Sequence, residues 1–333
     1  MQISRPQRAI SQAALIGVGV LLSSAVLVRY LTYKAESTRR LSGRRVNVSG
    51  ESIHLLDRGE GPCVVLLHGN GSMMEDFAST QLVEALASKY RVLIFDRPGF
   101  GASTRGTGPW TPEREAELLD ETFRVLNVSS PVLVAHSWAT LVALNLALKN
   151  PTGLKGLVLL SGYYFPTAQA DVVLQTPASL PLIGNVLRNT VLPLLSRIMA
   201  SSTFKTLFSP RAVPTVFERM FSVPMASRPS QLKSVADDTV GMPSFARDIS
   251  VHYEDIHLPV HIVAGAEDKI VTTSEQSARL HRSLPNSTLD VLPGVGHMSH
   301  HVDPALVIRL VDELSSRASP VFEGTSAKTR AFG

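Results

Sequence analysis

Four short segments carry side chains that together could cleave an acyl bond. Ala135-His136-Ser137-Trp138-Ala139 places a serine between an apolar run and a helical pattern. A serine on a sharp strand-to-helix turn presents its hydroxyl for attack, and the residues two places to either side must be small because strand and helix approach closely there. Alanine stands where glycine is usual, so the turn stays feasible with slight crowding. Gly294-Val295-Gly296-His297-Met298 offers an imidazole on a glycine-flanked loop, able to reach that hydroxyl as general base. Gly265-Ala266-Glu267-Asp268 offers an acid to orient the imidazole and stabilise its cation. Asp268 has the right place and type, with Glu267 as its rival. His68-Gly69-Asn70-Gly71 lets backbone come close to a substrate. Negative charge develops on the carbonyl oxygen during acyl transfer and must be met by preorganised N–H groups. The donors expected are the N–H groups of Trp138, after the serine, and of Asn70.

Each segment alone has a plainer reading: an ordinary serine in a loop, a glycine turn, a solvated acid. Together they run in the order Ser137, Asp268, His297, each behind an apolar run, and that joint pattern favours a nucleophile–base–acid triad. His300 and His301 compete with His297 and hint at metal, yet no cysteine or acid stands at ligand spacing, so no metal is expected. No phosphate-cradling glycine loop leads into a helix, so no cofactor is expected either. Cys63 is the single cysteine, which excludes an intramolecular disulfide and a cysteine metal cluster. Its place at the head of an apolar run fits a small buried hydrophobe.

The elements that must position these residues alternate. Residues 44–59 read as a starting hairpin. Continuous apolar runs at 63–69, 91–99, 131–137, 156–162, 259–265 and 287–294 read as buried strands. Helical spacing appears at 77–87, 116–126, 140–149, 274–283 and 305–315. Such alternation predicts an α/β fold, a mostly parallel doubly wound sheet with helices on both faces and the site at the carboxyl ends of the strands. The rhythm breaks at 166–255, which is rich in proline and holds short helical pieces at 182–199 and 212–221. This stretch is expected to be an inserted helical cap or lid between two parts of the core, 46–165 and 256–316. The polar tail 317–333 is expected to be disordered.

Residues 9–28 carry no charge, about the ~20 residues that a transmembrane helix requires. Arg5 and Arg8 flank one end; Arg29, Lys34, Arg39, Arg40, Arg44 and Arg45 follow the other. Residues 1–45 are therefore expected to be a membrane anchor and a basic linker over 30–45, making a single-pass protein. A cleaved signal peptide and a buried core helix are the competing readings. The heavier positive charge after the span favours a cytoplasmic catalytic domain. The charge is split by region: residues 1–45 sum to +7 within a chain total of +4, leaving the body at −3. A slightly acidic body argues against a nucleic-acid partner.

On these motifs the chain resembles the α/β-hydrolase superfamily over about residues 46–316. His68-Gly69 looks like its oxyanion motif, and Ser137, Asp268 and His297 stand at its triad positions. Asp96-Arg97-Pro98-Gly99-Phe100-Gly101-Ala102-Ser103 is similar to a family loop whose role is usually structural. Asn70 and Trp138 are also similar to the halide-holding pair of haloalkane dehalogenases, but those enzymes and epoxide hydrolases need an aspartate where Ser137 stands. Proline iminopeptidases share a tryptophan after the serine but carry H-G-G-P, absent here. The resemblance implies a serine hydrolase acting on a carboxylic ester. The apolar cap and anchor point to an apolar acyl substrate and to the lipid bilayer as partner. An acyltransferase or perhydrolase with the same triad, and a membrane-tethered binding protein without turnover, are the alternatives.

Overall fold

A computed structural model describes residues 5–38, 42–167 and 170–317. The apolar runs form one eight-stranded sheet: β1 (Arg44–Val48), β2 (Glu51–Arg58), β3 (Cys63–Leu67), β4 (Arg91–Phe95), β5 (Val132–His136), β6 (Gly156–Leu160), β7 (Val260–Gly265) and β8 (Ser287–Leu292), in the order β1-β2-β4-β3-β5-β6-β7-β8. β1 and β2 form the antiparallel hairpin, β2 joins β4 antiparallel, and all later pairs are parallel. Successive residues of one strand feed opposite cores. Val65 and Leu67 pack beneath the helices Pro112–Val125 and Ala139–Lys149. Val64 and Leu66 pack beneath Leu82–Ala87 and Pro304–Ser316. Both faces being covered, the strands read as unbroken apolar runs rather than alternating ones.

From β3 the chain moves outward to β4 and then crosses to β5 on the other side of β3. A strand order that reverses in this way leaves a crevice at the carboxyl ends. The 68–71 loop and the serine turn leave adjacent strands there, with Leu67 paired to Ala135.

Between β6 and β7 the described residues form six α-helices, Ala170–Ser179, Pro181–Asn189, Leu192–Phe208, Thr215–Met220, Val223–Ala226 and Pro229–Ser250, and a 3-10 turn at Tyr253–Asp255. The last α-helix, of 22 residues, is much longer than the short pieces expected. Its inward positions are mostly polar in the first half, with Gln231, Ser234, Asp238 and Thr239, and apolar chiefly toward the end, with Met242, Ala246 and Ile249, so the apolar stripe is too short to read as a long helix. The stretch expected to be a basic linker is instead helical as far as Thr38, within one helix Arg5–Thr38. Val28 and Ala35 are buried, and Glu36 pairs with Arg228 at 2.9 Å, contacts that hold this segment helical. Arg39 and Arg40, and the tail expected to be disordered beyond Arg317, lie outside the described residues.

Candidate active site

Ser137 follows β5 directly and has φ +54°, a left-handed conformation that costs a non-glycine residue about 1–3 kcal/mol. The surroundings over-determine it. Its N–H donates to the Leu160 carbonyl at 2.8 Å, and its own carbonyl accepts from the Thr140 N–H at 3.0 Å. Ala135 and Ala139 are fully buried, so alanine fits both crowded places. Gly69 reaches the turn from β3: a Cβ there would lie 2.9 Å from the Ser137 Cβ. Only glycine admits so close an approach.

The three residues expected to act together meet, although 131 positions separate Ser137 from Asp268. His297 Nε2 lies 2.9 Å from Ser137 Oγ, and His297 Nδ1 lies 2.8 Å from Asp268 Oδ2. The other carboxylate oxygen accepts from the N–H groups of Ile270 and Val271 at 2.8 and 3.0 Å. Burial works to raise the Asp268 carboxyl, but the facing imidazole and these N–H bonds outweigh it and hold the group below its ordinary value. The rival Glu267 turns elsewhere, accepting from the Val295 N–H at 3.0 Å. The His297 N–H donates to the Leu207 carbonyl at 3.1 Å, so a helix of the β6–β7 insert steadies the histidine loop.

The Asn70 side chain is engaged by the Pro229–Ser250 helix. Its Nδ2 donates to Thr239 Oγ1 at 2.9 Å and to the Val235 carbonyl at 3.2 Å, and its Oδ1 accepts from the Gly71 N–H. The Trp138 ring is buried away from the cavity, donating from Nε1 to the Asp238 carbonyl at 3.1 Å beneath the Arg97 guanidinium, 3.9 Å from the ring centre. Neither side chain is free to hold a halide. His68 Nε2 accepts from the Arg97 N–H at 3.0 Å, which sets the start of the 68–71 turn. Burial, with Arg97 adding, lowers the His68 imidazole to about 4, so the ring is neutral and can accept. Arg97 also binds Glu115 through two nitrogens at 3.0 Å and Asp238 at 2.8 Å, tying the Pro229–Ser250 helix to the core.

One group escaped the reading of the sequence. Asp76 is fully buried beside the serine turn. Its Oδ2 lies 3.0 Å from His136 Nδ1, and its Oδ1 lies 3.0 Å from His300 Nε2 and 3.4 Å from His301 Nε2. His136 Nε2 in turn lies 3.2 Å from the His297 carbonyl. Burial opposes charge on Asp76, yet the imidazoles of His300 and His136 hold its pKa well below the usual carboxylate range. Burial pushes His300 down to about 3. No acid stands at ligand spacing from His300 and His301 in the sequence, and the fold supplies one from the distant short helix Glu75–Ala78. The separations from Asp76 to His136 and His300 are those of direct hydrogen bonds, so the cluster is complete as a carboxylate held by imidazoles.

A cavity of about 420 Å³ opens over Ser137 and His297. Gly69 and Asn70 floor it, and Leu195, Met199, Phe204 and Phe221 from the β6–β7 insert form much of its wall.

Comparison with known proteins agrees with this fold. The sequence model of the Alpha/beta hydrolase family matches residues 64–310. A 2-hydroxy-6-oxononadienedioate/2-hydroxy-6-oxononatrienedioate hydrolase of Pseudomonas putida is 27% identical over 268 residues, covering 76% of this chain and 88% of that protein. A thermophilic esterase from Thermogutta terrifontis superposes with a TM-score of 0.68 at 23% identity, over 81% of this chain and 97% of that one. A membrane phospholipase A superposes with a TM-score of 0.63 at 17% identity, over 95% of this chain and all (100%) of that one. At such identities the two structures speak for the fold alone.

Proposed function

The chain belongs to the alpha/beta hydrolase family, and from that premise we propose that it is a serine hydrolase of carboxylic esters anchored in a membrane by its N-terminal helix. The observation that carries the reading is the unbroken chain of contacts from Ser137 through His297 to Asp268, at 2.9 and 2.8 Å. His297 takes the hydroxyl proton as Ser137 Oγ attacks the ester carbonyl; Asp268 fixes the imidazole tautomer and stabilises the cation. The main-chain N–H groups of Trp138 and Asn70 meet the charge on the former carbonyl oxygen. His297 returns the proton to the departing alcohol, leaving an acyl group on Ser137. It then draws a proton from a water whose oxygen attacks the acyl carbon, and passes that proton to Ser137 Oγ as the bond to Ser137 breaks and the acid departs. The helices 170–250 act as the lid, and their apolar lining favours an apolar acyl group. The helix Leu15–Thr38 has the length and hydropathy to cross a membrane, which supports the anchor. A protein described as a membrane phospholipase A shares the fold over 95% of this chain.

The test is Ser137→Ala in the full chain. Hydrolysis of p-nitrophenyl esters should fall by at least ~10³-fold, and labelling by a fluorophosphonate should vanish. Unchanged hydrolysis by the variant refutes the assignment.

A further inference from the structure

The outer helices of the insert have reversed polarity. Pro181–Asn189 buries Gly184 and Arg188 while Leu182, Ile183 and Val186 stand 84%, 57% and 50% exposed. In Leu192–Phe208, Leu195, Ile198 and Met199 face outward, at the i, i+3, i+4 spacing of one helical face. A helix at a water-facing surface turns its apolar stripe toward the core. An extended apolar surface turned outward marks a contact with membrane or protein.

The N-terminal helix identifies which. Ser24 Oγ donates to the Thr190 carbonyl at 2.8 Å, so the helix touches the turn between Pro181–Asn189 and Leu192–Phe208. Ser24 lies inside the uncharged stretch, four residues before its end at Val28. At 1.5 Å per residue, Thr190 is therefore held about 6 Å within the apolar span. The helix runs on beside the insert, with Val28 buried and Glu36 paired to Arg228, so its depth sets that of the insert. Leu15, Ile16, Val20 and Leu22 of the same helix are exposed, and they continue the apolar surface. Leu195 and Met199 belong at once to the outer face and to the wall of the cavity over Ser137.

We propose that the face made by Leu182, Ile183, Val186, Leu195, Ile198 and Met199 lies in the hydrocarbon edge of the bilayer, and that the Ser137 cavity opens there and takes its ester from the lipid phase. This deepens the reading of the N-terminal helix as a membrane span and rests on it.

The experiment uses the full chain with Cys63→Ser, carrying an environment-sensitive fluorophore on a single introduced cysteine, in phosphatidylcholine–phosphatidylglycerol vesicles. The positions are Ile198→Cys, Val20→Cys in the span, and Val125→Cys, which is 53% exposed at the far end of the Pro112–Val125 helix. Ile198 and Val20 labels are expected to be quenched by acyl-brominated lipid, and the Val125 label by aqueous iodide alone. An Ile198 label as open to iodide as the Val125 label, with Val20 quenched by lipid, overturns the proposal and leaves the span intact. If the Val20 label too is reached by iodide and not by lipid, the span fails along with it. A kinetic arm uses Leu182→Ser with Ile183→Ser and Ile198→Ser. Hydrolysis of a long-chain ester embedded in vesicles should fall about tenfold, while a water-soluble short ester stays within about twofold. Equal losses on both esters, or none, count against the proposal.

Discussion

The carboxylate of Asp76 lies 3.0 Å from Nδ1 of His136, and that ring reaches on to the carbonyl of His297. One buried acid thus connects the turn bearing the nucleophile to the loop bearing the base. Asp76 is a positioning residue. Small displacements of reacting groups cost up to about 10²-fold in rate. Asp76→Ala is expected to lower kcat by about 10–100-fold with KM little changed, and Asp76→Asn to recover part of the loss. Steady-state kinetics on a soluble ester, with circular dichroism to establish folding, check this.

Asp268 and Glu267 are adjacent, yet only Asp268 meets the imidazole. Asp268→Asn should lower kcat by about 10⁴-fold, because the amide favours the wrong imidazole tautomer. Glu267→Gln should remain within about tenfold of wild type, since it forfeits only a charge-assisted bond to the Val295 N–H. Comparable losses in the two variants would contradict the assignment.

Gly69→Ala places a methyl group 2.9 Å from the Ser137 Cβ, a contact that forces the 68–71 loop or the serine turn to move. The expected outcome is a fall in kcat of about 10²-fold, with fluorophosphonate labelling slowed in proportion and the fold retained. Stopped-time labelling of the purified variant measures it.

Arg97 is buried between Glu115 and Asp238. Arg97→Met leaves two carboxylates in the interior without their principal cation, a loss of about 3–5 kcal/mol. Thermal unfolding of the detergent-solubilised chain should register it as a large drop in midpoint.

His68 and His300 have imidazoles lowered to about 4 and about 3 by burial, whereas unfolded histidine titrates near about 6.5. Between these values the unfolded chain binds more protons, so stability rises with pH there. Acidification from about pH 6.5 toward pH 4 is expected to lower the unfolding midpoint steadily. His300→Gln should flatten that slope. Below the ordinary carboxylate range the depressed Asp268 and Asp76 extend the loss, as their paired anions become protonated.

The sheet was legible because buried parallel strands leave unbroken apolar runs ended by glycine, and the segments at their carboxyl ends could be read from residue type alone. The Pro229–Ser250 helix was not legible: its first half buries polar side chains, among them Gln231, Asp238 and Thr239, while periodicity is read from apolar residues, and Pro243 interrupts the apolar second half. Asp76 was hidden for a different reason. Its partners His136 and His300 lie 60 and 224 positions away, and no local spacing records a contact made by topology. The helical continuation through Lys34 and Glu36 was hidden likewise, since its partner Arg228 comes from the far side of the insert.

The ionic tie between Arg97 and Asp238 fastens the insert to the core through one helix. Swinging Pro229–Ser250 outward would strip a buried carboxylate of both its guanidinium partners, Arg97 and Arg105, so that helix behaves as a fixed ceiling. The helices Ala170–Ser179 and Pro181–Asn189 pack directly against it and so share its anchorage to the core.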